Sequence, residues 1–272
     1  MSICVKNLTC GYKGHAIVES FSATIEAGSV FCLLGPNGVG KTTLFRTILG
    51  LLPAIGGSVE VDGVDVLRCS DKQRARLLAY VPQSHTPPFA FTAIDVVVMG
   101  ASTTGGLFGR PGASCYEVAN RCMETLGIAD LKEAAYTELS GGQRQMVLIA
   151  RAVAQGARYL MMDEPTASLD LGNEMCVLSA VKTLADQGLG VVMTTHSPAH
   201  IAQCEATGVL FMRDGTRLVG GERDLLQPEA LKRAYGVPVA VARLDVDEVG
   251  HDVGDSLAAA GSSHRVTMCQ PF

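Results

Sequence analysis

A glycine-rich segment near the N-terminus limits the possible folds of this chain more than any other feature. Residues 35–43 read Gly-Pro-Asn-Gly-Val-Gly-Lys-Thr-Thr and match the pattern G-x-x-x-x-G-K-T. The mostly apolar run 29–34 before it predicts a strand buried on both faces, and the segment 42–49 after it predicts a helix that ends at Gly50. A strand, a glycine loop and a helix in this order are the context in which backbone N–H groups wrap the phosphates of a nucleotide.

Each part of this loop has a predicted role in holding a nucleotide. Lys41 is expected to reach the β- and γ-phosphates, and the hydroxyl of Thr42 is expected to bind Mg²⁺. The glycines let the backbone approach the anion, and the N-terminus of the following helix adds its positive end. A glycine turn beside a surface lysine is the alternative interpretation. The predicted nucleotide-binding residues of the loop are Gly35, Pro36, Asn37, Gly38, Val39, Gly40, Lys41, Thr42 and Thr43.

Composition and charge argue against several classes of protein. The 272 residues carry a formal net charge of -5 without a block of Lys and Arg, whereas a general nucleic-acid-binding protein needs a basic surface. Hydrophobic residues make up 47% of the chain, yet no apolar run reaches the roughly 18 residues that a membrane-spanning helix needs. The N-terminus does not read as a signal peptide. Any contact with a membrane is therefore expected to come through a partner.

A pair of carboxylates follows a second apolar strand. Residues 158–162 predict a buried strand, and Asp163 and Glu164 stand at its C-terminal end, beside the phosphate loop. Because adjacent residues on a strand point to opposite sides, Asp163 is expected to face Mg²⁺ and Glu164 the attacking water. A carboxylate beside a triphosphate polarises or deprotonates that water, which predicts NTP hydrolysis. The alternative is that the pair only ends a strand at Pro165.

One histidine has a comparable position. His196 closes the apolar strand 191–195 and is expected at the same edge of the sheet, in reach of the γ-phosphate. Alone, it would be read as a hydrogen-bonded structural histidine. The other histidines are assigned no role and are expected in surface or loop positions; they are His15, His85, His200, His251 and His264.

A second glycine-rich segment, Leu-Ser-Gly-Gly-Gln at 139–143, is too far along the chain to belong to the first loop. It precedes the apolar helical run 146–153, so Ser140 and the glycine N–H groups are predicted at a helix N-terminus, a second anion site. Ser140 as a simple N-cap is the alternative. Two phosphate-binding elements mean either two nucleotides or one site built from two copies of the chain. The lack of a second phosphate loop favours two copies.

The remaining pattern predicts strands that alternate with helices, and therefore a mainly parallel sheet. Residues 1–28 are expected to form short strands. The core is predicted to comprise residues 1–83 and 155–240, with a helical subdomain at 84–154. From 241 to 272 the chain turns acidic and then rich in Ala, Gly and Ser, which predicts a loosely ordered tail.

Taken in order, these motifs resemble the nucleotide-binding subunit of ATP-binding cassette (ABC) transporters. The phosphate loop, 139–143, Met-Met-Asp-Glu-Pro at 161–165, Ser-Leu-Asp at 168–170 and Thr-His at 195–196 carry the resemblance, which covers roughly residues 3–240. It implies an ATPase with an α/β phosphate-loop NTPase fold. In such a fold a RecA-like, mainly parallel sheet is joined by an N-terminal antiparallel β subdomain and a helical insert that carries Leu-Ser-Gly-Gly-Gln.

The resemblance also implies a partner copy and further roles. In a head-to-tail homodimer, ATP would lie between the phosphate loop of one copy and Ser140, Gly141, Gly142 and Gln143 of the other. By the same resemblance, Tyr12 stacks on adenine, Gln83 contacts Mg²⁺ and the water, Glu164 is the catalytic base, Asp170 communicates across the dimer and His196 holds the γ-phosphate.

Within the family, the segments 80–92 and 95–100 resemble the ATPases of importers for metal chelates: iron–siderophore, haem and cobalamin. Such an ATPase would work at the cytoplasmic face of the cell membrane, through an integral-membrane permease and, indirectly, a substrate-binding protein. Residues 84–110 would form the groove for the permease, although Pro87-Pro88-Phe89 also reads as an ordinary turn. The alternatives are a molybdate or tungstate importer ATPase and a soluble ABC ATPase of iron–sulfur cluster assembly.

Overall fold

A mainly parallel sheet organises the chain. The structure of the protein is a computed structural model that describes residues 1–83, 91–102, 111–245 and 265–271. The strands of its central sheet are β3 (Val30–Leu34), β6 (Leu78–Val81), β7 (Tyr159–Met162), β8 (Gly190–Thr195), β9 (Thr207–Phe211) and β10 (Arg217–Gly220). They lie in the order β10-β9-β3-β8-β7-β6, and every neighbouring pair is parallel except β9 with β10. This arrangement confirms the predicted α/β fold.

Both faces of this sheet are covered. All five residues of β3 are buried, with Phe31 and Leu33 in one hydrophobic cluster and Val30, Cys32 and Leu34 in another. Alternating residues of a strand point to opposite faces, so each cluster lies on its own side of the sheet. β3 is therefore fixed from both sides, and so is the loop that follows it.

An antiparallel sheet supplies many of the other residues of the hydrophobic cluster that contains Phe31. Its strands are β1 (Ser2–Tyr12), β2 (His15–Glu26), β4 (Gly56–Val61) and β5 (Val64–Asp65), in the order β2-β1-β4-β5. The antiparallel subdomain is thus confirmed. The predicted strands over 1–28 are present but are not short, since β1 and β2 run for 11 and 12 residues and are joined by a tight turn. Irregular pairing between β1 and β2, with positive φ at Asn7 and Ser20, breaks the alternation that would have marked long strands.

Helices flank the central sheet. They are α1 (Lys41–Ile48), α2 (Asp71–Leu77), α3 (Ala93–Ala101), α4 (Ala113–Thr125), α5 (Gly141–Ala154), α6 (Leu171–Asp186), α7 (Ala199–Gln203), α8 (Glu222–Leu225) and α9 (Pro228–Tyr235). α3, α4, α5 and α6 supply much of the second cluster. Within the described ranges, no helix combines the length and the apolar character that crossing a membrane would require. Residues 84–90 and 103–110, most of the predicted permease groove, lie outside the described residues.

The C-terminal region differs from the expected loose tail in two segments. β11 (Val239–Asp245) and β12 (Arg265–Pro271) pair in antiparallel register, from Val239 with Pro271 to Asp245 with Arg265. β12 lies beside α7 and β11 beside α9. The acidic and small residues between the two strands dominate the composition of this region, so the few β-branched residues of the strands give only a weak strand signal in the sequence.

Candidate active site

Two glycines shape the loop between β3 and α1. Gly35 has a φ of +149°, and a Cβ there would lie 2.8 Å from the carbonyl oxygen of Phe211. Gly40, the N-cap of α1, has a φ of +100°, and its Cβ would lie 2.7 Å from Cγ2 of Val18. The loop can therefore lie close against β9 and β2 before it enters the helix. The first N–H groups of α1 lack carbonyl partners within the helix and are available to an anion.

Lys41 is buried at the start of α1, and its ammonium group is held by its own loop. Nζ donates hydrogen bonds to the carbonyl oxygens of Gly35, at 2.7 Å, and Pro36, at 2.9 Å. Burial lowers the pKa of Lys41 because it disfavours the charged form, and the carboxylates of Glu164 and Asp163 oppose that shift. An ammonium group has three donor protons, so beyond these two bonds one proton remains for a phosphate oxygen.

The loop borders a cavity of about 350 Å³. The residues that line it are Ile17, Asn37, Gly38, Gly40, Lys41, Thr42, Thr43, Gln83 and Glu164. Residues predicted from three separate parts of the chain therefore meet in one space. Gly35, Pro36 and Val39 belong to the loop without lining this cavity. Ile17 was not predicted, because an aliphatic residue in a strand carries no chemical signal of a site.

Asp163 and Glu164 diverge after β7, but not for the reason that strand alternation suggested. β7 ends at Met162, and Glu164 has a φ of +46°, in the left-handed region, so a turn separates the two side chains. Asp163 is buried, and its Oδ1 accepts a 2.8 Å hydrogen bond from the hydroxyl of Thr194. The same hydroxyl oxygen accepts the backbone N–H of Glu164 at 2.8 Å. Thr194, which sequence reasoning missed, thus fixes both residues.

Glu164 has polar neighbours from the strands on either side of β7. Nε2 of Gln83 donates to Oε2 of Glu164 at 3.4 Å, and Nδ1 of His196 lies 3.8 Å from the same oxygen. Because β6, β7 and β8 are adjacent and parallel, their carboxyl ends bring these side chains to one edge of the sheet. The carbonyl of His196 accepts a 2.9 Å hydrogen bond from the hydroxyl of Tyr235. A carboxylate, an amide and an imidazole therefore converge beside the phosphate loop.

The second glycine-rich segment starts α5. The hydroxyl oxygen of Ser140, the N-cap, accepts the N–H of Gln143 at 3.2 Å, and Oε1 of Gln143 accepts the N–H of Ser140 at 3.0 Å. This reciprocal pair is a capping box, so the capping interpretation holds. The N–H groups of the first turn, which contains Gly141 and Gly142, have no carbonyl partners within the helix and suit an anion. None of residues 140–143 lines the cavity.

The N-terminal ends of α5 and α6 meet at one corner of the chain. Asp170, the N-cap of α6, accepts two hydrogen bonds from Asn173: backbone N–H to Oδ1 at 2.8 Å and Nδ2 to Oδ2 at 2.7 Å. The side chain of Asn173 packs so closely on Gly142 that a Cβ at Gly142 would overlap its amide. The predicted residues Ser140, Gly142 and Asp170 thus share this corner, and none of them lines the cavity.

Two other residues have positions that bear on the predictions. Tyr12, at the end of β1, is 46% exposed. It pairs in the hairpin with His15 of β2, and the cavity residue Ile17 follows His15 by two residues on the same strand. His200, expected at the surface, is instead buried in α7, so that prediction is wrong. The spacing of His200 and the buried Cys204 at i, i+4 could have marked the inward face of this short helix.

Together, the parallel sheet, the glycine loop and the adjoining carboxylate define a phosphate-loop nucleotide-binding protein. The family model described as ABC transporter matches residues 18–167. An uncharacterized ABC transporter ATP-binding protein of Haemophilus influenzae is 40% identical, over 86% of this chain and 89% of that relative. The chain therefore belongs to the ABC transporter family and is one of its ATPases.

Further likenesses are more particular. An iron chelatin transport ATP-binding protein of Helicobacter pylori is 37% identical, over 79% of this chain and 84% of that relative. Among solved structures, a metal-chelate type ABC transporter in an inward-facing conformation aligns with a TM-score of 0.83 and 30% identity, over 100% of this chain and 97% of that one. A dimeric ATP-binding cassette bound to ADP and Pi aligns with a TM-score of 0.66 and 25% identity, over 76% and 93%.

Proposed function

We propose that this chain is the ATP-hydrolysing subunit of a membrane importer for a metal chelate of the iron–siderophore, haem or cobalamin type. The observation that carries the hydrolytic part is that Lys41 and Thr42 line the same cavity as Gln83 and Glu164. The assignment to metal-chelate import rests on the similarity to the iron chelatin transport protein and to the metal-chelate type transporter.

In this proposal the phosphate chain of ATP binds to the loop. The N–H groups of the glycine loop and of the first turn of α1 hold the phosphate oxygens, and Lys41 adds its charge. The exposed Tyr12, on the hairpin that also carries Ile17, stacks on the adenine ring. The buried loop residues preorganise these donors, so binding requires little rearrangement of the protein.

The residues present also suit Mg²⁺. Magnesium prefers oxygen ligands and is usually held by one or two protein groups together with substrate phosphates. Thr42 and Gln83, which carry a hydroxyl and an amide oxygen, line the cavity, and the buried carboxylate of Asp163 is bonded to Thr194, which also holds the cavity residue Glu164. Thr42, Gln83 and Asp163 would hold the ion, which supplies charge neutralisation on the phosphates when bound.

Glu164 is the group that activates water in this proposal. Glu164 lines the cavity. Thr194 holds its backbone N–H, and Gln83 holds its carboxylate. A carboxylate held in this way accepts a proton from the attacking water. His196, at 3.8 Å from Oε2 of Glu164, holds the γ-phosphate as a hydrogen-bond donor. The chemistry therefore needs the loop, β7 and β8 in fixed positions.

The second anion site requires a partner copy. Ser140, Gly141, Gly142 and Gln143 do not line the cavity of their own chain, yet all of them except the buried Gly142 are exposed at a helix N-terminus. A second copy in head-to-tail arrangement places these residues on the ATP held by the first, with Asp170 beside the contact. The dimeric state of the cassette bound to ADP and Pi supports this arrangement.

The rest of the importer is an integral-membrane permease and, indirectly, a periplasmic or lipoprotein substrate-binding protein. The ATPase then works at the cytoplasmic face of the membrane, where dimer closure on ATP drives the permease. The test is to co-purify the chain with the permease encoded beside it and to measure uptake in a deletion strain. Uptake of ferric siderophore, haem or cobalamin should fall and should return with the wild-type chain but not with Glu164→Gln.

Two other outcomes would replace this proposal. Loss of molybdate uptake alone would assign the chain to an oxyanion importer. Normal uptake of every chelate, combined with loss of iron–sulfur enzyme activity, would assign it to a soluble ATPase.

A further inference from the structure

His200 lies inside the protein, four residues after His196 and near the start of α7, and the mechanism above does not use it. The residue is 2% exposed, and both of its ring nitrogens have partners. Nδ1 lies 2.7 Å from Oγ1 of Thr195, and Nε2 lies 3.1 Å from Oε1 of Glu174. A buried polar group that is satisfied at both ends is costly to disrupt, so it holds its two partners at a fixed separation.

The surrounding hydrogen bonds assign the proton on this ring. An ionised carboxylate such as that of Glu174 only accepts hydrogen bonds, so a neutral ring carries its proton on Nε2, and Nδ1 accepts the hydroxyl proton of Thr195, whose Oγ1 in turn accepts the N–H of Ser197 at 3.0 Å. The proton on Nε2 is then donated to the carboxylate of Glu174. Burial lowers the pKa of His200, Glu174 opposes this shift, and the neighbouring His196 adds to it. His200 is therefore a neutral bridge between a hydroxyl and a carboxylate.

One end of the bridge adjoins the phosphate loop. The carbonyl of Thr195 accepts the N–H of Gly35, the first residue of the loop, at 3.3 Å. The next residue, His196, has its Nδ1 3.8 Å from Oε2 of Glu164. Thr195 therefore belongs to the short backbone segment that connects the phosphate loop with His196, and its hydroxyl is the group through which His200 holds this segment.

The other end adjoins the corner where α5 and α6 meet. Glu174 lies in the first turn of α6, and its N–H donates to the carbonyl of Asp170 at 2.9 Å. Its neighbour Asn173 contacts both Asp170 and Gly142. A shift of Glu174 therefore shifts the corner that carries the second anion site.

We propose that His200 is a positioning residue for ATP hydrolysis, because its bridge from Thr195 to Glu174 fixes the backbone of His196 relative to the corner formed by Ser140, Gly142 and Asp170. This inference rests on the proposed function, in which both regions contribute to ATP sites. None of the three bridging side chains lines the cavity, so their loss leaves ATP binding by the loop in place. Turnover falls instead, since a misplacement of about 1 Å costs up to roughly 100-fold in rate.

The test uses the full chain with Thr195→Val, His200→Ala, Glu174→Ala and Glu174→Gln. Cys204→Ala is the matched control, because Cys204 is 3% exposed and ends the same short helix without joining the bridge. For each variant, kcat and the KM for ATP are measured per nucleotide-binding site, together with the thermal midpoint.

The first three variants should lower kcat about tenfold or more, with the KM for ATP within about twofold of wild type. Glu174→Gln keeps a carbonyl oxygen for the proton of Nε2, so its kcat should stay within about twofold of wild type. The double variant His200→Ala with Glu174→Ala should be no slower than either single variant, because each already removes the bridge.

A role limited to packing would give a different pattern. The bridge is contradicted if Thr195→Val and Glu174→Ala change kcat no more than Cys204→Ala does at a similar loss of thermal stability. Should His200→Ala not fold, the nearly isosteric Thr195→Val and the two Glu174 variants decide the outcome. Failure of the wild-type chain to hydrolyse ATP in the assembled importer would overturn the proposed function, and this inference with it.

Discussion

Nδ1 of His196 lies 3.8 Å from Oε2 of Glu164, across the carboxyl ends of two adjacent parallel strands. The side chain of Glu164 is 17% exposed, whereas that of His196 is 56% exposed. The carboxylate is thus enclosed by the protein while the imidazole remains accessible, so the two groups can meet a phosphate and its attacking water from different directions.

Glu164→Gln should permit ATP binding and abolish turnover. Glutamine keeps the shape of the side chain and its hydrogen bond with Gln83 but removes the basic oxygen. We expect kcat to fall by about 100-fold or more, in the range of a lost general base. The ATPase rate measures turnover, and the native mass in the presence of ATP measures binding, for which we expect an ATP-bound dimer. Undiminished hydrolysis would contradict the role of Glu164.

Ser140→Arg should block hydrolysis without weakening ATP binding by the single chain. The substitution adds bulk and charge where the partner's γ-phosphate would bind. Ser70→Arg is the matched control, because Ser70 caps α2 through the same kind of capping box with Gln73. Both variants should lose about 1 kcal/mol of helix capping, but only Ser140→Arg should lose turnover. A tenfold drop in single-chain affinity, about 1.4 kcal/mol, would contradict the shared site.

Lys41→Met should weaken ATP binding by about 100-fold, since it removes the buried cation that we propose to bind the phosphates. Methionine keeps most of the side-chain volume, so the loop should still fold. Lys182→Met is the control, because Lys182 of α6 forms surface ion pairs with Asp186 of the same helix and with Glu205, which follows α7. Calorimetric titration with ATP measures both affinities. Equal affinities for the two variants would place the phosphates elsewhere.

Gly142→Ala should destabilise the chain by about 1–3 kcal/mol, the cost of overpacking a tight contact. A Cβ at this position would overlap the amide of Asn173. In Gly172→Ala, the control, the new Cβ would meet Oδ1 of Asp170 at an ordinary 3.6 Å, so stability should be retained or rise. Urea unfolding measures the difference. Adding Asn173→Ala should restore stability to Gly142→Ala, and an additive loss would refute the overlap.

Cysteine labelling should separate Cys176 from Cys204. Cys176 is exposed, whereas Cys204 is 3% exposed and its burial raises the pKa of the thiol to about 12. Because the thiolate is the reactive form, only about one Cys204 in ten thousand is reactive at pH 8, in addition to being shielded. Iodoacetamide on the native protein should modify Cys176 alone of the two, and both in urea. Equal native rates, read by mass spectrometry, would contradict this burial.

The phosphate loop and the strands around it could be predicted because their signals are local. A buried apolar run, a glycine pattern and a helix are contiguous in sequence, and the structure has them at β3, residues 35–40 and α1. Asp163 and His196 follow their strands for the same reason. The divergence of Asp163 from Glu164 was predicted, but its cause could not be, since it depends on a positive φ and on Thr194 of another strand.

Features that depend on partners far away in the sequence could not be predicted from it. The burial of His200 requires Glu174, 26 residues earlier, and the long strand β2 tolerates a positive φ at Ser20 only because β1 pairs with it irregularly. The contact between Gly142 and Asn173 joins two helix starts whose spacing in sequence says nothing of their distance in space. Sequence alone located the parts of the site, and tertiary pairing decides how they are held.

The left-handed backbone at Glu164 limits which residues this position accepts, whatever their chemistry. Glycine, asparagine and aspartate adopt a φ near +46° readily, whereas most other side chains cost about 1–2 kcal/mol there and β-branched ones more. In a library of all substitutions at this position, valine and isoleucine would be destabilised by the strained backbone, whereas glutamine would fold and be inactive. If a descendant of this chain lost ATP hydrolysis, we would therefore expect position 164 to hold a residue that tolerates this turn. The backbone conformation would thus limit which inactive forms can arise.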